Sequence, residues 1–112
     1  MILAIDYDGT ITENDDSYPE VGKLNPKAVK VLKKLKEKGH TLCLWTCRSY
    51  RDGTLQKAIQ QLEENDIHFD YFNESPVDTG SPKIACHYYI DDRMLGQKVD
   101  WDYIEKTLCD QK

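Results

Sequence analysis

The chain has 112 residues and a formal net charge of −5, a length that fits one small domain and leaves no room for a second folded unit. The acidic balance argues against a general nucleic-acid-binding surface of the usual basic kind, and no apolar run approaches membrane-spanning length. The four cysteines show no C-x-x-C spacing. We therefore expect reduced thiols in a cytoplasmic protein without a signal peptide.

The N-terminal segment combines a buried strand with two carboxylates. Residues 2–5 are apolar and run directly into Asp6 and Asp8, and Gly9 follows as a turn residue. Side chains at i and i+2 of a strand point the same way, so both carboxylates lie where the strand ends. Their repulsion is relieved by a hard cation such as Mg²⁺. An Asx-type turn is the alternative, whereas an EF-hand is excluded because its twelfth position is Ser17.

Strand-like and helical segments alternate along the rest of the chain. Residues 11–24 are polar and predict a long loop. Asn25 and Pro26 predict the start of a helix that ends at Gly39. The elements predicted after it are a strand at 40–46, a helix that begins at Asp52 or Thr54 and ends at Asn65 or Asp66, a strand at 67–72, a polar loop at 73–82, a strand at 86–90, a loop at 94–98 and a short final helix.

This alternation predicts an α/β protein with a mainly parallel sheet, in a three-layer α/β/α Rossmann-like fold. Ligands of such sheets bind beyond the carboxyl ends of the strands. The polar residues at or next to those predicted ends are Asp6, Asp8, Thr46, Arg48, Asp91 and Asp92. The hydroxyl of Thr46 and the guanidinium of Arg48 suit a phosphate. A helix-capping threonine and a surface arginine are the alternative.

These residues resemble the motifs of the haloacid dehalogenase-like superfamily. Residues 6–10, which read DYDGT, are similar to its first motif, D-x-D-G-T. Thr46 resembles the second motif, Lys83 the third, and residues 90–93, IDDR, the fourth. The motifs follow the family's order over nearly the whole chain, and residues 81–101 look like those of very small, capless phosphatase-like members.

The resemblance implies a single catalytic domain over residues 1–112, without a cap, that hydrolyses phosphate monoesters with Mg²⁺. It implies that Asp6 is a nucleophile that forms an aspartyl-phosphate and that Asp8 is the general acid and base. The implied metal ligands are Asp6, Asp8 through its backbone carbonyl, Asp91 and Asp92, with either of the last two as the primary ligand. The implied contacts to substrate phosphate are Asp8, Gly9, Thr46, Cys47, Lys83 and, by position only, Arg48.

Other functions remain open at this point. A receiver domain also forms an aspartyl-phosphate, but its phosphate-accepting Asp follows a middle strand, which here ends in Thr46. A phosphotransferase of the same fold is a second alternative. A non-catalytic module that binds phosphate or a partner is a third, and the intact pair Asp6 and Asp8 argues against it. A capless site would admit a large phosphorylated substrate or use a second subunit as its lid, so the oligomeric state stays open.

Overall fold

The computed structural model describes residues 1–110 and contains in that range one four-stranded sheet whose neighbouring strands are all parallel. Its strands are β1 (Ile2–Ile5), β2 (Thr41–Leu44), β3 (Tyr71–Phe72) and β4 (Tyr88–Ile90). The spatial order β3-β2-β1-β4 means that the chain moves outward from β1 in one direction and then crosses back to its other side. Such a reversal opens a crevice at the carboxyl ends of the strands, which is where α/β proteins bind ligands.

Three helices lie within the described residues, and none of them is long and apolar enough to cross a membrane. They are α1 (Pro26–Glu37), α2 (Thr54–Glu64) and α3 (Trp101–Leu108). The Asn25 side chain caps α1 by accepting the backbone N–H groups of Lys27 and Ala28, at 2.9 and 3.4 Å. Before α2, the Asp52 carboxylate accepts the backbone N–H of Thr54 at 3.0 Å. Both predicted helix starts are therefore confirmed.

The two faces of the sheet are covered differently. One face packs against all three helices in the main core, which includes Leu3 and Ile5 of β1. On the other face, Ala4 and Cys43 pack against Ile84, which belongs to the irregular segment 73–87. The predicted parallel α/β fold is confirmed, but in the described chain its third layer is this irregular segment instead of a helix. Two prolines and a glycine in residues 76–82 prevent a helix there.

The third strand is shorter than predicted. The sequence favours a strand over 67–72, yet only Tyr71 and Phe72 pair with β2. Ahead of them, the carboxylate of Asp70 accepts the backbone N–H of Leu42 at 2.9 Å, so a side chain takes the place of a backbone acceptor. The ladder therefore begins only at Tyr71.

The fourth strand is also shorter than the predicted range 86–90, and it spans Tyr88–Ile90. Just before it, the Nδ1 atom of His87 accepts the backbone N–H of Ile2 at 2.8 Å. The backbone N–H of His87 donates to the carbonyl of Ile2 at the same distance of 2.8 Å. His87 thus closes the end of the sheet with its side chain, a structural role.

The predicted loop after β1 folds back on itself. An antiparallel bridge joins Thr12 to Leu24, and we call the residues between them the 13–23 loop. The loop is fastened to α2, because the side-chain amide of Gln61 donates to the carbonyl of Gly22 at 2.8 Å. The carbonyls of Pro19 and Glu20 also accept N–H groups of Arg48, which follows β2, so this part of the loop lies next to the carboxyl end of β2.

Candidate active site

Three carboxylates meet where β1 and β4 end. Asp6 directly follows β1, and Asp91 and Asp92 directly follow β4. The two ends are held side by side because the backbone N–H of Asp6 donates to the carbonyl of Ile90 at 2.9 Å. One oxygen from each carboxylate lies within 4.8 Å of the other two. The structure thus gathers Asp6, Asp91 and Asp92, which come from opposite ends of the sequence, into one acidic cluster.

Thr10 bridges this cluster, although no functional role was expected for it. Its Oγ1 atom lies 3.2 Å from Asp6 Oδ2 and 3.1 Å from Asp92 Oδ1. The same oxygen accepts the backbone N–H of Asp92 at 2.9 Å. A hydroxyl has one proton, so it serves one carboxylate at a time. The buried Thr10 therefore fixes the spacing of Asp6 and Asp92. Its position in the DYDGT segment is the sequence signal that could have identified it.

Gly9 allows the chain to turn tightly against the cluster. Its φ of +80° lies in the left-handed region, and a Cβ atom built on it would come 3.1 Å from Asp92 Cγ. Its backbone N–H donates to Thr12 Oγ1 at 2.9 Å. We expected Gly9 to contact substrate phosphate, but this N–H already has an acceptor inside the protein. In this structure Gly9 instead makes room for Asp92.

The cluster lacks a compensating charge. No ion pair within residues 1–110 involves Asp6, Asp91 or Asp92. Burial of Asp6, its hydrogen bond with Asp92 and the charge of Asp91 raise the pKa of Asp6 from an ordinary 3.8 to about 8. The ionised form of Asp6 is thus unfavourable unless a cation joins the site. Several carboxylate oxygens of this kind fit Mg²⁺, a hard ion that prefers oxygen ligands.

The carboxylate of Asp8 lies outside the acidic cluster. Its two oxygens are held by Arg48, whose Nε donates to Oδ2 and whose Nη2 donates to Oδ1, both at 2.8 Å. The side chain of Asp8 keeps 18% of its surface exposed to solvent. Any metal contact from Asp8 therefore has to come from its backbone carbonyl, as the resemblance implies.

The expectation that Arg48 contacts phosphate is corrected by its environment. The Arg48 side chain is fully buried, and its guanidinium uses all five N–H groups inside the protein. The acceptors are the two oxygens of Asp8 and the backbone carbonyls of Pro19, Glu20 and Thr54. Burial lowers the pKa of Arg48 and the adjacent Asp8 carboxylate raises it, with a net rise. No donor is left for a phosphate.

The loop after β2 presents Thr46, whose hydroxyl donates to no acceptor among residues 1–110. Thr46 Oγ1 accepts the backbone N–H of Arg48 at 3.2 Å, so the O–H of Thr46 can still donate. Asn73 pins this loop from the end of β3: it accepts the N–H of Thr46 at 2.8 Å and donates to the carbonyl of Arg48 at 2.9 Å. Cys47 is an exposed free thiol in the same loop. Asn73 was missed, since a polar residue at the start of a loop is unremarkable in sequence.

Lys83 does not reach the acidic cluster in this structure. Its side chain is exposed, and its ammonium lies 5.3 Å from the centroid of the Tyr89 ring. Tyr89 projects from β4 on the face that Ala4 shares, away from the three helices. Lys83 forms no ion pair with a residue of the described chain. A role at the phosphate therefore requires its flexible side chain to leave the tyrosine ring.

One comparison with known proteins identifies a family, and a solved structure shares the fold. The sequence model described as haloacid dehalogenase-like hydrolase matches residues 3–92. A solved structure described as a conserved protein from Bacteroides thetaiotaomicron is 34% identical, with a TM-score of 0.85, and the alignment covers 100% of this chain and 92% of that one. No curated protein matches. Because the family model covers most of the chain, including Asp6, Asp8, Thr46, Lys83, Asp91 and Asp92, the protein belongs to the haloacid dehalogenase-like hydrolases.

Proposed function

We propose that this hydrolase is a Mg²⁺-dependent phosphatase that cleaves phosphate monoesters through an aspartyl-phosphate on Asp6. The observation that carries the proposal is the cluster of Asp6, Asp91 and Asp92 at the joined ends of β1 and β4. The raised pKa of Asp6 supports the proposal, because a cation bound at the cluster would favour the ionised carboxylate of Asp6. Phosphoryl transfer needs mainly positioning and charge neutralisation, which this arrangement supplies.

Asp6, Asp91 and Asp92, with the backbone carbonyl of Asp8, would hold the Mg²⁺ ion, which supplies positive charge to the phosphoryl oxygens. A carboxylate oxygen of Asp6 attacks phosphorus while the bond from phosphorus to the leaving oxygen breaks. Asp8 gives its proton to that oxygen. It then takes a proton from the water that attacks the aspartyl-phosphate, which releases inorganic phosphate and restores Asp6.

Thr46 and Lys83 complete the proposed site. The free O–H of Thr46 donates to a phosphoryl oxygen, since its own oxygen already accepts the N–H of Arg48. Lys83 swings from the Tyr89 ring to offset the negative charge that grows between nucleophile and phosphate. The exposed thiol of Cys47 lies in the same loop as Thr46.

The substrate is proposed to be large. The two segments that could hold a cap, residues 11–24 and 49–82, contain only a loop and one helix with a short strand. A domain without a cap leaves its site open, and this suits a phosphorylated glycan, protein or polynucleotide end. The four unpaired cysteines suit the reducing cytoplasm, where we place the protein.

The test uses 4-nitrophenyl phosphate, with Mg²⁺ or with a chelator. The wild type is compared with Asp6→Asn and with Asp16→Asn, a control at an exposed side chain of the 13–23 loop. We expect turnover that needs Mg²⁺, disappears in Asp6→Asn and persists in Asp16→Asn. Mass spectrometry should find phosphate on the peptide that contains Asp6. Full activity of Asp6→Asn, or no turnover by the folded wild type with any divalent ion, would refute the proposal.

A further inference from the structure

Arg48 is a buried cation that joins three separate parts of the chain. Its guanidinium binds Asp8 after β1, the first turn of α2 through the carbonyl of Thr54 at 3.0 Å, and the 13–23 loop. From that loop, the carbonyls of Pro19 and Glu20 accept N–H groups at 3.0 and 2.7 Å. A buried charge is tolerated only when its hydrogen bonds are complete. Two of the five bonds therefore depend on the loop being in place.

Two aromatic rings also contact the guanidinium. The Arg48 Cζ atom lies 5.0 Å from the centroid of the Tyr7 ring and 5.2 Å from that of Tyr18. Both distances fall within the range of cation–π attraction. Tyr7 is buried beside Asp8, whereas Tyr18 belongs to the 13–23 loop and is 50% exposed. The loop thus supplies two carbonyls and one ring to the environment of Arg48.

We propose that Arg48 is a positioning residue that makes the orientation of the Asp8 carboxylate depend on the docking of the 13–23 loop. Both oxygens of Asp8 are fixed by the planar guanidinium at 2.8 Å, so the carboxylate plane follows the plane of the guanidinium. The guanidinium in turn is held by the loop. This inference rests on the proposed function, in which Asp8 handles the proton of the leaving group.

A misplaced Asp8 carboxylate slows phosphate esters unequally, according to how much their leaving groups need a proton. In the first step the Asp6–phosphorus bond forms, the phosphorus–oxygen bond breaks, and the proton of Asp8 goes to the leaving oxygen. A nitrophenolate leaves readily without that proton, whereas a phenolate needs it more. A misplaced Asp8 therefore slows phenyl phosphate more than 4-nitrophenyl phosphate, while general loss of structure slows both equally.

The experiment compares kcat/KM for these two substrates in Arg48→Lys and Tyr18→Leu. Lysine keeps the charge but cannot hold both oxygens of Asp8 or reach five acceptors. Leucine removes the ring that covers Arg48. Asp8→Asn shows the full effect of losing the acid. The controls are Arg51→Lys and Tyr103→Leu, which change exposed side chains elsewhere. Thermal unfolding of every variant checks that it is folded.

We expect Arg48→Lys to lower kcat/KM for phenyl phosphate about tenfold more than for 4-nitrophenyl phosphate, in the direction of Asp8→Asn, which removes a contribution of about 10² to 10⁴. Tyr18→Leu should show a smaller effect of the same sign, and both controls should match the wild type. If Arg48→Lys does not fold, Tyr18→Leu decides the question.

Three results separate failure of the inference from failure of the proposed function. Equal losses on both substrates in Arg48→Lys and Tyr18→Leu, with a selective loss in Asp8→Asn, overturn the inference alone. Wild-type values of kcat/KM for both substrates in both variants also overturn the inference alone. A wild type without phosphatase activity overturns the proposed function, and the inference falls with it.

Discussion

Asp92 occupies the space that a side chain at position 9 would need. A Cβ on Gly9 would lie 3.1 Å from Asp92 Cγ and still closer to Asp92 Oδ2. The left-handed backbone of Gly9 and the position of Asp92 are therefore linked. The turn that ends β1 can be this tight only because residue 9 has no side chain. The space left empty at Gly9 is filled by the carboxylate of Asp92, which lies beside Asp6.

Gly9→Ala should therefore disturb the acidic cluster as well as strain the backbone. Gly80 is a matched control, because its φ of +76° is similar and a Cβ there would meet nothing within 4 Å. We expect Gly80→Ala to cost about 1–2 kcal/mol of unfolding free energy, the price of a left-handed residue. Gly9→Ala should cost more and should also weaken the stabilisation by added Mg²⁺. Urea unfolding with and without Mg²⁺ measures both effects, and equal behaviour of the two variants would contradict this view.

Thr10→Val should show what the hydroxyl of Thr10 contributes, because valine keeps the shape of the side chain and lacks the oxygen. The substitution removes the oxygen that accepts the N–H of Asp92 and bridges to Asp6. We expect a loss of about 1 kcal/mol in unfolding free energy, because the partly buried N–H of Asp92 loses its hydrogen-bond partner. Mg²⁺ binding, followed by calorimetry, should weaken as well. Thr10→Ser keeps the hydroxyl and should retain most Mg²⁺ affinity. Similar affinities for the valine and serine variants would refute the bridging role.

The metal-free protein should lose stability as the pH rises. The pKa of Asp6 is about 8 in the folded protein, against the ordinary value of 3.8 expected in an unfolded chain. Between these values the folded state binds a proton that the unfolded state has released, so the unfolding free energy falls with increasing pH. Urea unfolding in a chelator at about pH 5 and about pH 8 should show this decline. Asp6→Asn should reduce it, and a decline of wild-type size in that variant would assign it to other groups.

Mg²⁺ should counteract the fall in unfolding free energy with increasing pH. A bound cation favours the ionised form of Asp6, so its stabilising effect should grow from about pH 5 to about pH 8. Measuring the midpoint of thermal unfolding with and without Mg²⁺ at both pH values tests this expectation. A shift that is larger at the lower pH would contradict the assignment of Asp6 as a ligand.

Lys83→Met should affect catalysis and leave stability nearly unchanged. The Lys83 side chain is exposed and contacts only the Tyr89 ring at 5.3 Å among the interactions of the described chain, so the unfolding free energy should change by less than about 0.5 kcal/mol. Loss of a charge that stabilises the transition state should lower kcat/KM about 10²-fold. Lys33→Met, on the exposed face of α1, is the control. Unaltered kinetics in Lys83→Met would remove Lys83 from the proposed site.

Local patterns of residues were sufficient to predict most of the fold. The apolar run before Asp6, the Asn25 and Pro26 helix start and the alternation of strands with helices each depend on neighbours a few residues apart. They indicated a parallel α/β sheet with acidic residues at strand ends, which the structure has. The ends of β3 and β4 were misjudged because the side chains of Asp70 and His87 replace backbone groups there.

By itself, the sequence determined the order of the elements and the family motifs, and with them the set of polar residues available at the carboxyl edge of the sheet. Only the tertiary structure decided which of these residues meet. Thr10 contacts Asp92 across 82 positions, and Arg48 contacts Asp8 across 40. Such contacts depend on the order of the strands in the sheet and on the docking of a loop. The spacing of apolar and polar residues along the chain does not predict either of these. For that reason Arg48, assigned to phosphate by its position, proved to be a buried partner of Asp8.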